Sequence, residues 1–456
     1  MSNLHMGNTP GLTMKDRLRS LRAASVGNML EWFDWTLYGM FSTYLAANFF
    51  DHSDPTSALL ATMAVFAGGF IARPVGGYLF GRFGDKLGRK KALMVTMLTL
   101  SITTLAMAIL PTYDQIGAWA SLLLLALRML QGLAHGGEAG VSYTYVAEIA
   151  PKERRGRWTS AVYVSVMIGV MAATATAAVL TNLFSAEVMN EWGWRLGFVL
   201  GSLLALYVLV LRRVAKESDV FTERQTQSED GASSKLTPVD RAKVVKACVY
   251  VFLLSAATNV VYYTWVTFAP VNAISMQGMD PGGAYVASLL AQFIALFLIA
   301  LFGRMSDKVG RRPMVIAFSI GIILLIVPTQ VILTDQPWTL FVTQALGLTV
   351  WAIVVGFYPA LMAEMAPTFA RARIVGVMTS MAAGVFGGTA PYLFTWLSSI
   401  DMAWVFYTYL GTLAVMTCVI AFKMKETRGI DLNDGSLHEP TSTTEPDMDP
   451  VLADNR

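Results

Sequence analysis

Charged residues are scarce in this sequence. Only 14% of its 456 residues are Asp, Glu, Lys or Arg, whereas 55% are hydrophobic. An ordinary soluble domain carries about 25% charged residues, so this composition excludes a soluble globular protein. Residues 1–22 are polar and basic and contain no apolar core that ends at a small-residue cleavage site. We therefore expect no signal peptide and a retained first helix.

Cysteine and histidine are also nearly missing. The chain has two cysteines and four histidines. Cys248 and Cys418 lie in apolar runs far apart in the sequence, which gives neither a disulfide framework nor the spacing of metal ligands. We expect both to be packing residues, and we expect no metal ion and no cofactor.

Other motifs that the chain lacks exclude further functional classes. It has no nucleotide-binding loop, no cluster of metal ligands and no soluble region large enough to signal, which argues against an enzyme and against a receptor. Its basic residues follow an alternation between loops, so they determine topology and do not form a surface for nucleic acid.

Long apolar runs recur instead from Ala23 to Met424. A bilayer core needs about 20 apolar residues per helix. The sequence therefore predicts an all-α membrane protein with twelve transmembrane helices. We number them spans 1 to 12, and they lie at 23–47, 57–81, 92–110, 118–147, 158–182, 194–213, 244–271, 283–303, 314–334, 338–363, 373–398 and 402–423.

The charges alternate between the two sides of these spans. All but three of the 34 Lys and Arg residues lie before span 1, beside alternate loops or at the C-terminal end, and the three are Arg73, Arg128 and Arg195. Loops on the opposite side carry only acids: Asp51, Asp54, Asp114, Glu187, Glu191, Asp280, Asp335 and Asp401. Because positively charged loops stay in the cytoplasm, we expect both termini there.

A polar break at 214–243 divides the spans six and six. It predicts a cytoplasmic N-terminus at 1–22, a six-helix bundle at 23–213, a cytoplasmic linker at 214–243 and a second six-helix bundle at 244–424. The tail at 425–456 is acidic and rich in Pro, Ser and Thr, so we expect it to be disordered.

The two halves repeat two motifs in the same order. GRFGDKLGRKK at 81–91 matches GRMSDKVGRRP at 303–313, and EIAPKERR at 148–155 matches EMAPTFAR at 364–371. Parallel six-helix repeats build one common transporter architecture, in which the substrate is held between the halves near the membrane midplane. The repeats therefore predict a transporter.

These residues resemble the major facilitator superfamily, because G-x-x-x-D-[RK]-x-G-R-[RK] between spans 2 and 3, echoed between spans 8 and 9, is its most specific signature. Four further segments look like the metabolite–proton symporter family, which includes permeases for alpha-ketoglutarate, citrate, shikimate, and proline or betaine. They are 27–34, 69–77, 128–138 and 191–195. The resemblance covers 23–424 and implies a monomer. In antiporters of the superfamily the fifth helix carries a Gly-Pro pair, which span 5 of this sequence lacks. Its absence favours symport.

Ionisable side chains inside a bilayer are costly and mark functional sites. Here they are confined to the first half: Glu31, Asp34, Arg73, Arg128, His135 and Glu138. At about 1.5 Å per residue, Asp34 and Arg128 both lie about 15 Å from the start of their spans, near the middle of the membrane, and are natural partners. Glu31, Arg73 and Glu138 form a second layer one turn away.

Span 4 carries its polar residues at steps of three and four, so these residues share one face of the helix: Arg128, Gln131, His135 and Glu138. We expect this face to line a central cavity between the halves. We expect Asp34 to bind the proton and thereby release Arg128 for a substrate carboxylate. Two alternatives remain open: Glu31 or Glu138, paired with Arg73, carries the proton, or Arg73–Glu138 is a permanent ion pair. His135 is either a proton relay or a packing residue.

The second half supplies neutral polar and aromatic groups. Span 7 carries Asn259, Tyr262, Tyr263 and Trp265, and Gln292, Trp351, Tyr358 and Tyr392 lie in spans 8, 10 and 11. Asn259 and Tyr263, at positions i and i+4, and Trp351 are the predicted substrate contacts there, because polar groups in a membrane need a partner or a wet cavity.

The repeated loops are predicted to be gates. Asp85 and Arg89 stand at i and i+4 beside glycines at helix ends, and Asp307 and Arg311 repeat the pattern. Each loop is expected to lock against the other bundle through a carboxylate near a helix N-terminus and through an ion pair. In the superfamily this cluster stabilises the outward-open state.

Together these features predict a proton-coupled symporter of a bacterial cytoplasmic membrane. It imports a small organic anion, a di- or tricarboxylate such as alpha-ketoglutarate or citrate. Uptake of a zwitterion such as betaine or proline, or of a shikimate-like monocarboxylate, is the alternative, since a quaternary ammonium would bind to Trp and Tyr faces.

Overall fold

The structure, a computed structural model, describes residues 14–51, 53–87, 89–136, 138–214, 238–367 and 370–432. Side chains are described in these ranges except at 14–20, 22–24, 26, 81–93, 137–142, 145, 208, 211–214 and 238–240. Helices occupy almost the whole described part of the chain, which contains no β-strand.

The helices of the first half lie close to the predicted spans. In the order of spans 1 to 6 they are Met14–Met40 with Ser42–Phe49, Pro55–Leu87, Arg89–Ile109, Ala118–His135 with Glu138–Ile149, Arg155–Leu183, and Trp194–Val214.

The second half follows the same plan with more interruptions. In the order of spans 7 to 12 its helices are Pro238–Tyr262 with Ala269–Gln277, Pro281–Val309, Arg311–Ile332, Pro337–Val355 with Tyr358–Met365, Arg371–Ala382 with Ala390–Ser399, and Ala403–Lys423. Two π-helical turns, Tyr263–Thr267 and Ala383–Gly387, connect the two parts of spans 7 and 11.

Among the described residues, nine helical stretches are long and apolar enough to cross a membrane, and Met94–Ile109 in span 3 is a shorter apolar helix. The remaining two predicted spans coincide with the helices at spans 1 and 6. The predicted fold class, an all-α membrane protein, is confirmed, whereas the number of twelve spans stays a prediction.

Both halves use the same helix pairing. In the first half span 1 packs on span 5, span 2 on span 4 and span 3 on span 6, and in the second half span 7 packs on 11, span 8 on 10 and span 9 on 12. Each pair recurs six spans later, which agrees with the sequence repeats. Between the halves, span 5 packs along span 8, and spans 1 and 2 meet spans 7 and 11.

Several helices break at positions that correspond in the two halves. Span 4 is interrupted after His135 and span 10 after Val355, and spans 1 and 7 are interrupted near Met40 and at Tyr263–Thr267. Discontinuous helices in matching spans are typical of transporter binding sites, and π-helical turns are frequent at functional sites. The breaks therefore point to the region between the halves.

Close approach of spans 2 and 4 depends on small residues. A Cβ atom on Gly132 would lie 1.9 Å from the carbonyl oxygen of Gly69, and one on Gly136 would lie 1.8 Å from the carbonyl oxygen of Arg73. Contacts of this kind between small residues are how membrane helices pack tightly. They fix the height of Arg73 and Arg128 relative to each other.

Two predicted boundaries differ from the structure. The linker ends earlier than predicted, because a helix begins at Pro238, while 215–237 lies outside the described residues. The prediction of disorder is wrong for 425–432, where Leu432 is 3% exposed, because this segment hydrogen-bonds to buried charged groups. Residues 433–456 lie outside the described part.

We predict that Gly132→Ala destabilises the protein, because its Cβ cannot be accommodated without moving the Gly69 backbone. The expected cost is about 1–3 kcal/mol, measured as a lower melting temperature in detergent. Gly411→Ala is the matched control, since a Cβ there meets only Ile326 Cδ1 at 3.7 Å. Equal melting temperatures for the two variants would contradict the close approach.

Candidate functional site

A small cavity lies between the two halves. Its volume is about 50 Å³, which is room for a few water molecules and far below the several hundred Å³ typical of small-molecule sites. It is lined by Glu31, Trp32, Arg73, Tyr143, Tyr163, Val166, Thr258, Asn259, Tyr262, Trp351, Tyr358, Thr379, Ser380 and Ala383. Four of the predicted site residues, Glu31, Arg73, Asn259 and Trp351, are among them.

The charged groups of this cavity are Arg73 and Glu31. Arg73 Nη2 lies 3.6 Å from Glu31 Oε1, and both side chains are buried. Neither Nε nor Nη2 of Arg73 makes a hydrogen bond within the described structure. His135 Nδ1 lies 3.9 Å from the same Glu31 oxygen, and His135 Nε2 has no hydrogen-bond partner there. The cavity thus holds a buried guanidinium with unused donors beside a carboxylate.

Asp34 and Arg128 form a second ion pair inside the first bundle. Arg128 Nη1 donates to Asp34 Oδ2 at 3.2 Å and to Gln131 Oε1 at 2.7 Å. Thr104 Oγ1 donates to Asp34 Oδ1 at 2.8 Å, and Gln131 Nε2 donates to Thr104 Oγ1 at 2.9 Å. Thr104, in span 3, was not among the predicted residues. Gln131 Nε2 also donates to Asp34 Oδ1 at 3.3 Å, so the carboxyl group accepts hydrogen bonds from three side chains.

The prediction that the polar face of helix 4 lines the cavity is wrong for three of its members. Arg128 is 0% exposed, and Gln131 and His135 are also buried outside the cavity lining. Helical spacing shows which residues share a face but not which neighbour that face meets, and here it meets spans 1, 2 and 3. The side chain of the fourth member, Glu138, lies outside the described part.

Span 7 presents a different tyrosine from the one predicted. Tyr262 lines the cavity, whereas Tyr263 packs on Phe66 and Phe70 of span 2 and is 1% exposed. The cavity face is centred on Thr258, Asn259 and Tyr262, so position 263 falls at its edge. Asn259 Nδ2 donates to the backbone carbonyl of Ser255, one turn earlier in the same helix, at 2.8 Å.

Hydroxyl groups line the cavity beside the charges. The hydroxyls of Tyr143 and Tyr163 lie 3.4 Å apart, and that of Tyr358 lies 2.6 Å from Ser255 Oγ. Because a tyrosine pair shares one hydrogen bond, one O–H of the first pair is left to donate elsewhere. Tyr143 and Tyr163 were not predicted as site residues, since tyrosines in membrane helices are usually packing residues.

We call the side with acidic loops the acidic face and the side with basic loops the basic face. Towards the acidic face the halves are in contact through Tyr285, whose hydroxyl donates to the Met40 carbonyl at 2.5 Å. That carbonyl lies at the break of span 1. Phe66 also makes edge-to-face contacts with Tyr263 and Phe268 from the second half. These contacts close the cavity on this side.

On the basic face Asp307 and Arg311, one of the two pairs predicted to be gates, contact each other and the other half. Asp307 accepts hydrogen bonds from the backbone N–H groups of Gly156 and Arg157, both at 2.8 Å, and lies 3.0 Å from Arg311 Nη1. Its carboxylate therefore docks on the N-terminus of span 5, in the other half. The side chains of the matching pair, Asp85 and Arg89, lie outside the described residues.

The second repeated motif forms reciprocal ion pairs across the halves. Arg155 Nη1 lies 2.9 Å from Glu364 Oε1, and Arg371 Nη1 lies 3.3 Å from Glu148 Oε1. Glu364 also accepts from Arg311 Nε at 3.2 Å. The sequence showed the repeat but gave it no role. We call these residues with Asp307 and Arg311 the basic-face gate.

Residues 426–432 complete this gate from the C-terminal end. The Glu426 carboxylate accepts hydrogen bonds from the backbone N–H groups of Arg311 and Arg312 at 2.8 and 3.0 Å. Thr427 Oγ1 donates to Glu364 Oε2 at 2.8 Å. Carbonyls of the same segment accept from Arg155 and Arg371. The segment thus holds charged groups from both halves.

We predict that Glu364→Gln opens the basic-face gate, because it removes the buried carboxylate that Arg155 and Arg311 share. Glu148→Gln is the comparison, since the Glu148 side chain is 24% exposed and the loss of its pair is expected to cost less. We would measure maleimide labelling of Ser380→Cys, in the cavity, after replacing Cys248 and Cys418 by Ser. Removing one partner of a buried pair costs about 3–5 kcal/mol, so labelling is expected to rise at least about tenfold in Glu364→Gln. Equal rates in both variants would contradict the gate.

Sequence comparisons give one family. The sequence pattern described as Major Facilitator Superfamily matches residues 24–391. Alpha-ketoglutarate permease of Escherichia coli (strain K12) is 36% identical over 423 residues, covering 91% of this chain and 95% of that protein. A putative proline/betaine transporter of Staphylococcus aureus (strain MSSA476) is 33% identical over 390 residues, covering 84% and 82%.

Solved structures show the same fold. The proton:xylose symporter XylE bound to 6-bromo-6-deoxy-D-glucose aligns with a TM-score of 0.73 at 18% identity, covering 91% of this chain and 97% of that one. The inward open conformation of XylE from E. coli aligns with a TM-score of 0.68, also at 18% identity, covering 91% and 98%. At this identity the likeness concerns the fold alone.

Proposed function

The chain belongs to the major facilitator superfamily of membrane transporters, and we propose that it is a symporter that imports a small organic anion together with protons. The proposed substrate carries two carboxylates, as alpha-ketoglutarate does. The proposal extends to its orientation, with the basic face and both termini in the cytoplasm of a bacterium, and to a monomer as the working unit.

The observation that carries this proposal is Arg73 in the closed cavity. A guanidinium buried in a membrane protein needs anionic and hydrogen-bonding partners. Among the described side chains, the carboxylate beside Arg73 is that of Glu31, at 3.6 Å, and Nε and Nη2 of Arg73 make no hydrogen bond there. A carboxylate fits these donors bidentately. The donors left unused are therefore the proposed receptor for one substrate carboxylate.

The second carboxylate is proposed to bind the hydroxyl layer. Tyr143 and Tyr163 leave one O–H to donate, and both line the same cavity as Arg73. Asn259 and Trp351 contribute from the second half. A substrate held in this way contacts both halves at once, as alternating access requires.

Proton coupling is proposed to follow from charge balance. Within the described side chains of the membrane core, two carboxylates, Glu31 and Asp34, balance two guanidiniums, Arg73 and Arg128. A dianion added to this set leaves a buried excess of negative charge, which is costly. Protonation of the carboxylates removes the excess and frees the guanidiniums, so protons bind first and the anion second.

A zwitterion is the second candidate substrate, because aromatic rings dominate the cavity. Trp32 and Tyr262 lie in edge contact at 4.9 Å between centroids, and Trp351 lies 5.4 Å from Tyr262. Such faces bind quaternary ammonium groups, with Glu31 beside them and Arg73 for the carboxylate. The similarity to a protein named as a proline/betaine transporter supports this candidate.

Uptake into proteoliposomes tests both candidates. We would impose an inward proton gradient, follow labelled alpha-ketoglutarate, and compete with excess citrate, shikimate, betaine and proline. Accumulation blocked by carboxylates alone supports the organic anion, and Arg73→Gln is expected to abolish it. Arg195→Gln is the matched control, because Arg195 lies outside the cavity lining and donates to the carbonyls of Ala108 and Leu110. Absence of alpha-ketoglutarate uptake, with betaine or proline accumulated, would reject the dicarboxylate.

We predict that Asp34→Asn abolishes accumulation driven by a proton gradient and retains counterflow exchange of substrate. The amide has the size and shape of the carboxyl group but cannot take up or release a proton. Glu31→Gln is the comparison, since Glu31 is the other carboxylate paired with an arginine. If Asp34→Asn still concentrates substrate by means of a pH gradient while Glu31→Gln does not, the coupling carboxylate is Glu31.

A further inference from the structure

Trp35 lies between the two buried arginines. The guanidinium carbon of Arg128 is 3.8 Å from the centroid of the Trp35 ring, and that of Arg73 is 4.1 Å from it. The side chain is 1% exposed, and its Nε1 has no hydrogen-bond partner among the described residues. One indole thus contacts a cation of the cavity and a cation of the Asp34 network.

We propose that Trp35 is a positioning residue that links the substrate cavity to the proton-binding carboxylate by stabilising both guanidiniums with one aromatic ring. The proposal rests on the proposed function, with Asp34 as the proton site. Neither the sequence repeats nor the signature loops involve this residue.

The energetic argument starts from what Arg128 loses when Asp34 is protonated. In the structure Arg128 is compensated by Asp34, by Gln131, and by the rings of Trp35 and Tyr38, the latter at 4.3 Å. A proton on Asp34 removes the anionic partner, and the aromatic faces then carry more of the compensation. Cation–π contacts contribute most when the cation is desolvated, and tryptophan is the strongest partner. Trp35 therefore stabilises the protonated state more than the deprotonated state.

The other charged and titratable side chains described near Asp34 lie on spans 1, 2 and 4. Glu31 and Tyr38 lie on its own span, Arg73 on span 2, and Arg128 and His135 on span 4. Span 3 contributes the uncharged Thr104. Arg73 also contacts Phe70 at 4.3 Å. Among the aromatic rings named here, only Trp35 lies within 4.2 Å of both guanidiniums. Its removal acts on both sites together.

The coupling has a second consequence at the cavity. When a substrate carboxylate draws Arg73 away from the indole, the Trp35 ring interacts with Arg128 alone of the two cations. Binding of substrate at Arg73 therefore favours the state in which Arg128 depends on the indole, which is the state with Asp34 protonated. Substrate and proton stabilise each other's binding through this ring.

The test is the pH dependence of uptake at saturating substrate in proteoliposomes, for Trp35→Leu and Trp35→Phe. Since Trp35 stabilises the protonated state, its loss requires more acid, and the pH of half-maximal uptake is expected to fall by about 0.5–1 unit in Trp35→Leu. Trp35→Phe keeps a weaker aromatic face and is expected to shift by about half as much.

Trp194→Leu is the matched control. Trp194 is also fully buried, and it lies over an arginine, Arg195, at 4.6 Å, but it packs on Phe49 and Phe198 outside the cavity. It is expected to lower the amount of folded protein without moving the pH profile. A profile that moves equally in Trp194→Leu and Trp35→Leu would show that loss of packing alone causes the shift.

The outcomes separate this inference from the proposed function. Proton-driven uptake by the wild type, with an unchanged pH of half-maximal uptake in both Trp35 variants, overturns the inference alone. Absence of proton-driven uptake in the wild type overturns the proposed function and the inference with it. If Trp35→Leu does not reach the membrane, the direction of the shift in Trp35→Phe decides.

Discussion

The constraint on which this structure depends is that a charge removed from water needs a partner. In the first half each buried arginine of the membrane core has a carboxylate, Glu31 for Arg73 and Asp34 for Arg128. At the basic face, Arg155 and Arg311 share Glu364 in the same way. Because an unpaired buried charge costs several kcal/mol, these pairs determine which conformations are stable and which charged ligands the protein can bind.

The two sets of pairs differ in what they join. The pairs of the membrane core lie within the first half, so they survive a movement of one half against the other. The pairs Arg155–Glu364 and Arg371–Glu148 join the two halves, so any opening on the basic face breaks them. Towards the acidic face the described cross-contacts include aromatic rings and neutral hydrogen bonds, from Tyr285 to the Met40 carbonyl and from Thr395 to the Met63 sulfur. The closed state is therefore held by charge on one side and by packing on the other.

Much of this organisation could be predicted from the sequence. Apolar length, loop charge and repeated motifs gave the helical membrane fold, and membrane depth brought Asp34 and Arg128 together. The sequence did not predict towards which neighbours the side chains of each helix point. The polar face of helix 4 points into its own bundle, and Tyr262 replaces Tyr263 at the cavity, because these orientations depend on helix breaks and on packing against several neighbours. The ordered segment 426–432 was missed because its composition is polar and its partners lie in distant loops.

The closed cavity also suggests how leakage is prevented. Its described charges balance. Bound substrate and protons that together carry no net charge therefore leave the closed state neutral. A proton alone, or an anion alone, leaves an excess charge in a space of about 50 Å³ that holds few water molecules. Closing the cavity around a proton alone or an anion alone must overcome the cost of burying an unbalanced charge. Closing it around a proton and an anion together does not bury an unbalanced charge. For the proposed symport, coupling would then require no separate lock, because the cost of closing the cavity would reject an incompletely loaded site in either direction of the cycle.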